Sequence, residues 1–211
     1  LLPQYRGAAP INWAIINGEK ISGVSTFLID HKIDTGRILL RRSLELSDIE
    51  TAGSLHEKLK PLAAAIIRDT IDGLAGNSLK AVDQDEFASA VPLKIAPKIY
   101  RDTCRISWTL SCMETERLIR GLSPSPGAFC ELVSQTGDIQ IIRLIMGSAL
   151  EVRHDFGPGT MFCDQKNELW FACTDGMLRI TELQLPGKKA MKTPELLRGY
   201  RFQDAHPLPA L

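Results

Sequence analysis

Near residue 75 the apolar pattern of this chain changes character, and the change divides it into two organisational blocks. Before it, a strand-like pattern gives way to a helical one. Residues 75–97 hold Asn77, Asp83, Gln84, Asp85, Pro92 and Pro97 among few periodic apolar residues, the composition of an interdomain linker. After it, short apolar runs alternate with turn residues. The chain of 211 residues thus reads as an α/β block over 1–74, a linker over 75–97 and a β-rich block over 98–211.

In the first block, Gly23–Ile29 is rich in β-branched and large apolar residues and predicts a strand. A turn at Asp34-Thr35-Gly36 leads to a second strand over Ile38–Leu44. The pattern Ser54-x-x-Glu57 is a capping-box signature, and Leu55, Leu59, Leu62, Ile66 and Ile71 recur at helical spacing after it. Pro61 falls inside that pattern, so a kink or a late helix start is expected there. Gly73 and Gly76 are expected to end the helix.

In the second block, Ser111-x-x-Glu114 opens a short helix that runs to Gly121. Short strands follow over Ala128–Val133, Ile139–Ala149, Gly159–Phe162, Leu169–Thr174 and Met177–Leu185, with Thr174-Asp175-Gly176 as a hairpin turn. Strands of this length and spacing suggest a small barrel or sandwich. Thr193-Pro194-Glu195 predicts a last helix with Thr193 as N-cap.

Lys and Arg together number 25, as do Asp and Glu, and hydrophobic residues make up 44%. The balance disfavours broad nucleic-acid binding but leaves room for a local basic stripe. No apolar run approaches the roughly 20 residues of a membrane span. Cys104, Cys112, Cys130, Cys163 and Cys173 are odd in number, widely spaced and without a C-x-x-C pair. They read as small buried hydrophobes of a reducing compartment. With His31, His56, His154 and His206 scattered singly, no zinc-like spacing exists and no metal is expected.

The ordered motifs say more than the periodicity. Leu1-Leu2-Pro3, Gly7-Ala8-Ala9-Pro10, Gly18-Glu19 and Asp34-Thr35-Gly36 closely resemble the second half of the catalytic domain of the methionyl-tRNA formyltransferase family. Ala96-Pro97-Lys98-Ile99, Ile106-Ser107-Trp108, Glu116–Leu122 and Pro124-x-Pro126-Gly127-Ala128 resemble landmarks of that family's C-terminal domain. So do Asp175-Gly176, Leu183-Gln184-x-Pro186-Gly187-Lys188-Lys189-x-Met191 and Leu197-Arg198-Gly199. The resemblance implies the C-terminal part of a Rossmann-like formyltransferase domain followed by an OB-fold-like barrel. It implies transfer of the formyl group of 10-formyltetrahydrofolate to initiator methionyl-tRNA in translation initiation, by a monomer in the cytoplasm.

In such a reaction the methionyl amine attacks the formyl carbon, so a proton must leave and a developing oxyanion must be stabilised. The resemblance makes Asp34 the catalytic carboxylate, acting with a His and an Asn. By residue type alone Asp34 is a turn former, and Asp30 is the competing carboxylate. The family carries its Asn-x-His immediately before Leu-Leu-Pro, and this chain starts at Leu1 without Met. The expectation is therefore a fragment that is inactive alone.

Leu1, Leu2 and Pro3 match the segment walling the folate site, and the Asp30–Asp34 loop would meet the pterin edge. An apolar core segment explains the same three residues equally well. Lys98, Lys188 and Lys189, with Arg117 and Arg120, are the candidate phosphate contacts, although each alone is better explained as a solvated charge. Arg41 and Arg42 are expected to be solvated, and Trp13, Trp108 and Trp170 to be core anchors. Arg37 stands where the family usually has an acidic residue, and Ser125 where it often has Trp. Two other readings stay open: an amino-sugar-nucleotide formyltransferase, against which Pro186–Met191 argues, and a non-catalytic tRNA-binding module.

Overall fold

The computed structural model describes residues 1–87, 92–133 and 137–208. The chain divides into two units, Leu1–Ile99 and Tyr100–Leu211.

The first unit opens with the short strand β1 (Arg6–Gly7) and helix α1 (Pro10–Ile16), whose Pro10 needs no amide partner at a helix start. Strands β2 (Ile21–Phe27) and β3 (Ile38–Glu45) pair antiparallel, from Ile21 opposite Glu45 to Phe27 opposite Ile38. Helix α2 (Ala52–Ala75) packs on them. Ile15, Leu46, Leu55 and Leu59 form the core, with Ile11, Val24, Leu44 and Leu62 around it.

Three details of α2 differ from expectation. Its N-cap is Thr51, whose hydroxyl accepts the Ser54 amide at 3.0 Å while the Ser54 hydroxyl accepts the Thr51 amide at 3.0 Å. Ser54 is thus the inner member of the box, and Glu57 instead pairs with Lys60 on the surface. The helix neither starts late nor breaks at Pro61, because Leu55, Leu59 and Ile66 anchor it to the core on both sides of that residue. At the far end Thr70 takes the inward position and Ile71 is exposed. The Thr70 hydroxyl donates to the Ile66 carbonyl at 2.6 Å and lies 2.9 Å from that of Thr26. Gly73 lies inside the helix, and Gly76 caps it.

The exposed linker expected over 75–97 begins at the end of α2, and its described residues are mostly exposed but tied to the rest of the first unit at several points. Val82 exchanges two 2.8 Å backbone hydrogen bonds with Ile38. A short 3-10 turn, Gln84–Phe87, follows. Strand β4 (Ile95–Ala96) then pairs parallel with β1, Arg6 opposite Ile95 and Gly7 opposite Ala96. The Trp13 indole donates to the Pro97 carbonyl at 2.8 Å. Gln84 and Ala96 are buried; a polar side chain and an alanine give no periodic signal that would announce such an anchor.

The second unit begins with the one-turn helix α3 (Arg101–Cys104) and with α4 (Cys112–Leu122), capped by Ser111 and Glu114 as the sequence indicates. The strands follow: β5 (Ala128–Val133), β6 (Ile139–Leu150), β7 (Met161–Cys163), β8 (Leu169–Ala172), β9 (Met177–Gln184) and the short β10 (Met191–Lys192). They form one antiparallel sheet in the order β5-β6-β9-β8-β7, with β10 added to β9. Alternation sets the buried face, with Ile142 and Leu144 inward and Arg143 outward on β6. Helix α4 lies on this sheet through Ile119 and Leu122. Trp108 stacks on Phe171, ring centroids 4.5 Å apart.

The Thr174-Asp175-Gly176 turn joins β8 to β9, and its Asp175 carboxylate accepts the Cys112 amide at 2.8 Å. The last helix, α5 (Thr193–Leu197), has Lys192 rather than Thr193 as its N-cap. The buried Thr193 hydroxyl instead donates to the Ile180 carbonyl at 2.5 Å, the acceptor that burial makes costly to leave unmet. Among the described residues no helix is long and apolar enough to cross a membrane.

Candidate functional site

The loop between β2 and β3 carries Asp34, and its own chemistry shapes it. The Asp30 carboxylate accepts the Thr35 hydroxyl at 2.7 and 2.9 Å and the Lys32 amide at 2.9 Å. The Thr35 hydrogen bond, with that amide, holds the exposed Asp30 carboxyl below the usual carboxylate range. Asp30 is thereby spent on folding the turn. Gly36 closes the loop against Leu28, where a Cβ would lie 1.6 Å from the Leu28 carbonyl oxygen. No other residue fits there.

Asp34 itself is half-buried and has φ of 56°, a left-handed conformation that Asp tolerates better than most residues. Its Oδ2 accepts the backbone amide of Gly7 at 3.1 Å. Gly7 has φ of 132°, and a Cβ there would lie 2.4 Å from the Ala96 carbonyl oxygen. The Gly7 of the Gly-Ala-Ala-Pro motif is therefore where β1 passes against β4 and presents its amide to the carboxylate.

Behind the turn lies Gln84, 4% exposed. Its Nε2 donates to the carbonyls of Asp34 and Gly36, both at 2.8 Å. Its Oε1 accepts from Arg6 Nη2 at 2.7 Å and Nε at 3.1 Å. Sequence reasoning read Gln84 only as a polar linker residue and passed over Arg6, since they lie 78 positions apart and neither belongs to a periodic pattern.

Leu1 and Leu2 are half-buried and Pro3 is buried. Leu1 lines a cleft of about 320 Å³ that also involves Tyr5, Glu19, Arg41 and Lys94, and the Asp34 turn is not part of its wall. Here the buried Tyr5 hydroxyl donates to Glu19 at 2.5 Å, and Lys94 pairs with Glu19 at 2.6 Å. Burial, with the Glu19 acceptor, pushes the Tyr5 hydroxyl up to about 12. This cluster also escaped the sequence reading. In the loop that carries Asp34, Ile29 and Ile33 are 93% and 80% exposed, and Leu28 precedes them at 38%.

Lys98 is exposed in the first unit; Lys188 and Lys189 are exposed in the second, in the turn between β9 and β10. Gly187 supplies that turn with φ of 68°, and the Gln184 amide donates to the Lys188 carbonyl at 2.8 Å. Arg143, which the sequence did not single out, lines a cleft of about 280 Å³ with Gln184 and Lys188. Arg120 is not available to a phosphate: it is buried in α4, ion-paired with Glu116 one turn earlier. Arg117 is half-buried. Arg42 pairs with Asp69, and the Arg41 guanidinium lies 4.6 Å from the centre of the Phe87 ring. The three tryptophans are half-buried.

All five cysteines are buried and free. Burial raises the thiols, to about 12 at Cys112 and Cys130 and about 11 at Cys173, which makes them poor nucleophiles. Among the described residues no group of three His, Cys, Asp or Glu side chains could hold a metal ion.

The chain is similar to known proteins along most of its length. Residues 1–71 match the family described as formyl transferase, and residues 98–201 match the formyl transferase C-terminal domain. The chain belongs to the formyl transferase family. It is similar to the methionyl-tRNA formyltransferase of Bacteroides fragilis, 41% identical over 211 residues, all of this chain and 65% of that protein. That of Flavobacterium psychrophilum is 43% identical over 206 residues, covering 97% of this chain and 63% of the relative. The chain thus spans somewhat under two thirds of the length of these relatives.

Among solved structures, HypX from Aquifex aeolicus in complex with tetrahydrofolic acid shares the fold with a TM-score of 0.66 at 18% identity, covering 99% of this chain and 35% of that one. An N-formyltransferase from Helicobacter canadensis, solved with folinic acid and dTDP-3-aminofucose, does so with a TM-score of 0.62 at 19% identity, over 85% of this chain and 62% of that one.

Proposed function

We propose that these residues belong to an enzyme that moves the formyl group of 10-formyltetrahydrofolate to the amino group of methionyl-initiator tRNA, with Asp34 as its catalytic carboxylate. The observation that carries the reading is the Asp34 turn. A half-buried carboxylate is fixed by the Gly7 amide on one oxygen, in a loop whose other carboxylate, Asp30, is consumed by the fold. The bound donor supplies the formyl carbon.

The residues present suit a flat, mostly apolar ring with polar edges: Ile29 and Ile33 stand exposed in the loop that carries Asp34, with Leu1, Leu2 and Pro3 as the proposed further wall. The Asp34 carboxylate assists proton movement from the attacking amine and sets the charge of the site. The Asn-x-His pattern that the resemblance pairs with Asp34 does not occur within residues 1–211. The 211-residue polypeptide alone is therefore proposed not to transfer formyl above background.

In this reading the second unit is an OB-fold-like tRNA-binding domain, reached through the 75–97 connection. Lys98 and the Lys188-Lys189 turn contact phosphate, and the enzyme works as a cytoplasmic monomer. The full-length protein carrying Asp34→Asn tests the catalytic role. It is expected to fold normally and to lose about 10²-fold or more of its formyl-methionyl-tRNA formation, the usual size of a general acid–base contribution. Near-wild-type turnover would remove Asp34 from the reaction. Formylation of an amino-sugar nucleotide in place of the charged tRNA would move the enzyme to that substrate class.

A further inference from the structure

Gln84 makes four hydrogen bonds with a single amide, and their polarity allows only one orientation. Its two donors face two carbonyl oxygens, those of Asp34 and Gly36, and its one acceptor faces the two guanidinium donors of Arg6. Turning the amide over would set oxygen against two carbonyls and NH₂ against a cation. A carboxylate at this position would keep Arg6 but repel both carbonyls. An aliphatic side chain would leave two acceptors of the turn unmet, the Gly36 carbonyl buried and the Asp34 carbonyl partly so. Gln satisfies the whole set.

The carbonyl that Gln84 holds belongs to Asp34 itself, whose φ of 56° is a conformation that persists when its surroundings over-determine it. Arg6, which orients Gln84, immediately precedes Gly7, which grips the Asp34 carboxylate. Strand β1 therefore reaches Asp34 twice: directly through the Gly7 amide, and indirectly through Arg6 and Gln84. Pairing of Gly7 with Ala96 fixes β1 to the same segment that carries Gln84.

We infer that Gln84, braced by Arg6, is a positioning residue that locks the Asp34 turn so that its carboxylate is aimed before substrate arrives. The inference rests on Asp34 being the catalytic carboxylate. Misplacing a catalytic group by about 1 Å is enough to cost about 10²-fold in rate without touching substrate affinity.

The test uses the full-length protein with formyl donor and charged initiator tRNA. Turnover and KM for both substrates are measured for Gln84→Met, Gln84→Glu, Asp34→Asn and the Gln84→Met/Asp34→Asn double variant, with a melting curve for each. Gln84→Met is expected to lower kcat about 10- to 100-fold while both KM values stay within about threefold. Gln84→Glu, which keeps the volume and the Arg6 contact, is expected to lose as much. In the Asp34→Asn background Gln84→Met is expected to cost nothing more, because the group it positions is already gone.

Wild-type turnover in either Gln84 variant overturns the inference. So does an equal loss with and without Asp34, which would mark Gln84 as a structural residue alone. Should Gln84→Met fail to fold, Gln84→Glu decides, alone and combined with Asp34→Asn. Full activity of Asp34→Asn would instead defeat the catalytic reading of Asp34, so the two failures are told apart.

Discussion

Asp34 and Glu50 show how differently two carboxylates of one unit are used. The Asp34 carboxylate is half-buried and accepts one backbone amide, as the catalytic role proposed for it would need. Glu50 is 2% exposed and is tied down by the Lys58 ammonium and by the hydroxyls of Ser54 and Ser47. Burial by itself would raise the Glu50 carboxyl, but Lys58 and Ser54 outweigh it and leave it below the usual range. A carboxyl lowered in the folded state stabilises in full above the unfolded value, about 4.3, and loses that contribution as pH falls through the folded value. Glu50→Gln should therefore flatten the fall of the urea midpoint below about pH 4.5. Removing the half-exposed Lys58 partner should cost about 1 kcal/mol at pH 7, a figure reduced for solvent screening, and should shift the acid loss to higher pH. Midpoints measured from pH 3 to 7 check both; an acid limb unchanged in Glu50→Gln would rule Glu50 out as its source. The sequence marks Asp34 through its motif, whereas nothing local marks Glu50 or Gln84.

Elements were legible wherever a period or a turn set them. The five strand assignments of the second unit and that of α4 fall within a few residues of the observed elements because alternation and turn residues act locally. End positions were less legible. The Ser54-x-x-Glu57 pattern fits a capping box, yet Thr51 caps α2, since the chain enters the helix three residues earlier than that pattern implies. Thr51→Ala should consequently destabilise the first unit by about 1 kcal/mol, while Glu57→Ala should stay within about 0.5 kcal/mol. Thermal unfolding of the two variants distinguishes them, and the reverse order of effects would restore Ser54 as the cap. Thr193 makes the same point at α5: its hydroxyl serves a buried carbonyl of β9 rather than the helix end.

At the scale of the whole molecule, each unit supplies a part of the proposed function, a carboxylate site in Leu1–Ile99 and a basic hairpin in Tyr100–Leu211. If the exposed lysines contact phosphate, binding is electrostatic and independent of sequence. Replacing Lys188 and Lys189 with Ala should weaken initiator and elongator tRNA about equally and lower the dependence of log affinity on log salt by roughly one unit or less per lysine. Lys98→Ala should do the same. Binding titrations at several salt concentrations decide this, and a slope unchanged in both variants would end the phosphate-contact reading.

Local chemistry was enough to announce the longer strands, the Asp-Thr-Gly turn and the buried thiols. Each depends on neighbours within a few residues: alternation, turn propensity, or the apolar character of one side chain. The clamp behind Asp34 depends on residues 48 to 78 positions apart, and pairing of β1 with β4 brings them together. The same holds for Arg120, whose charge suggested a phosphate contact until α4 packed on the sheet and buried it with Glu116. Which polar groups face water and which face each other follows from the packing of distant segments, and one-dimensional spacing carries no record of that.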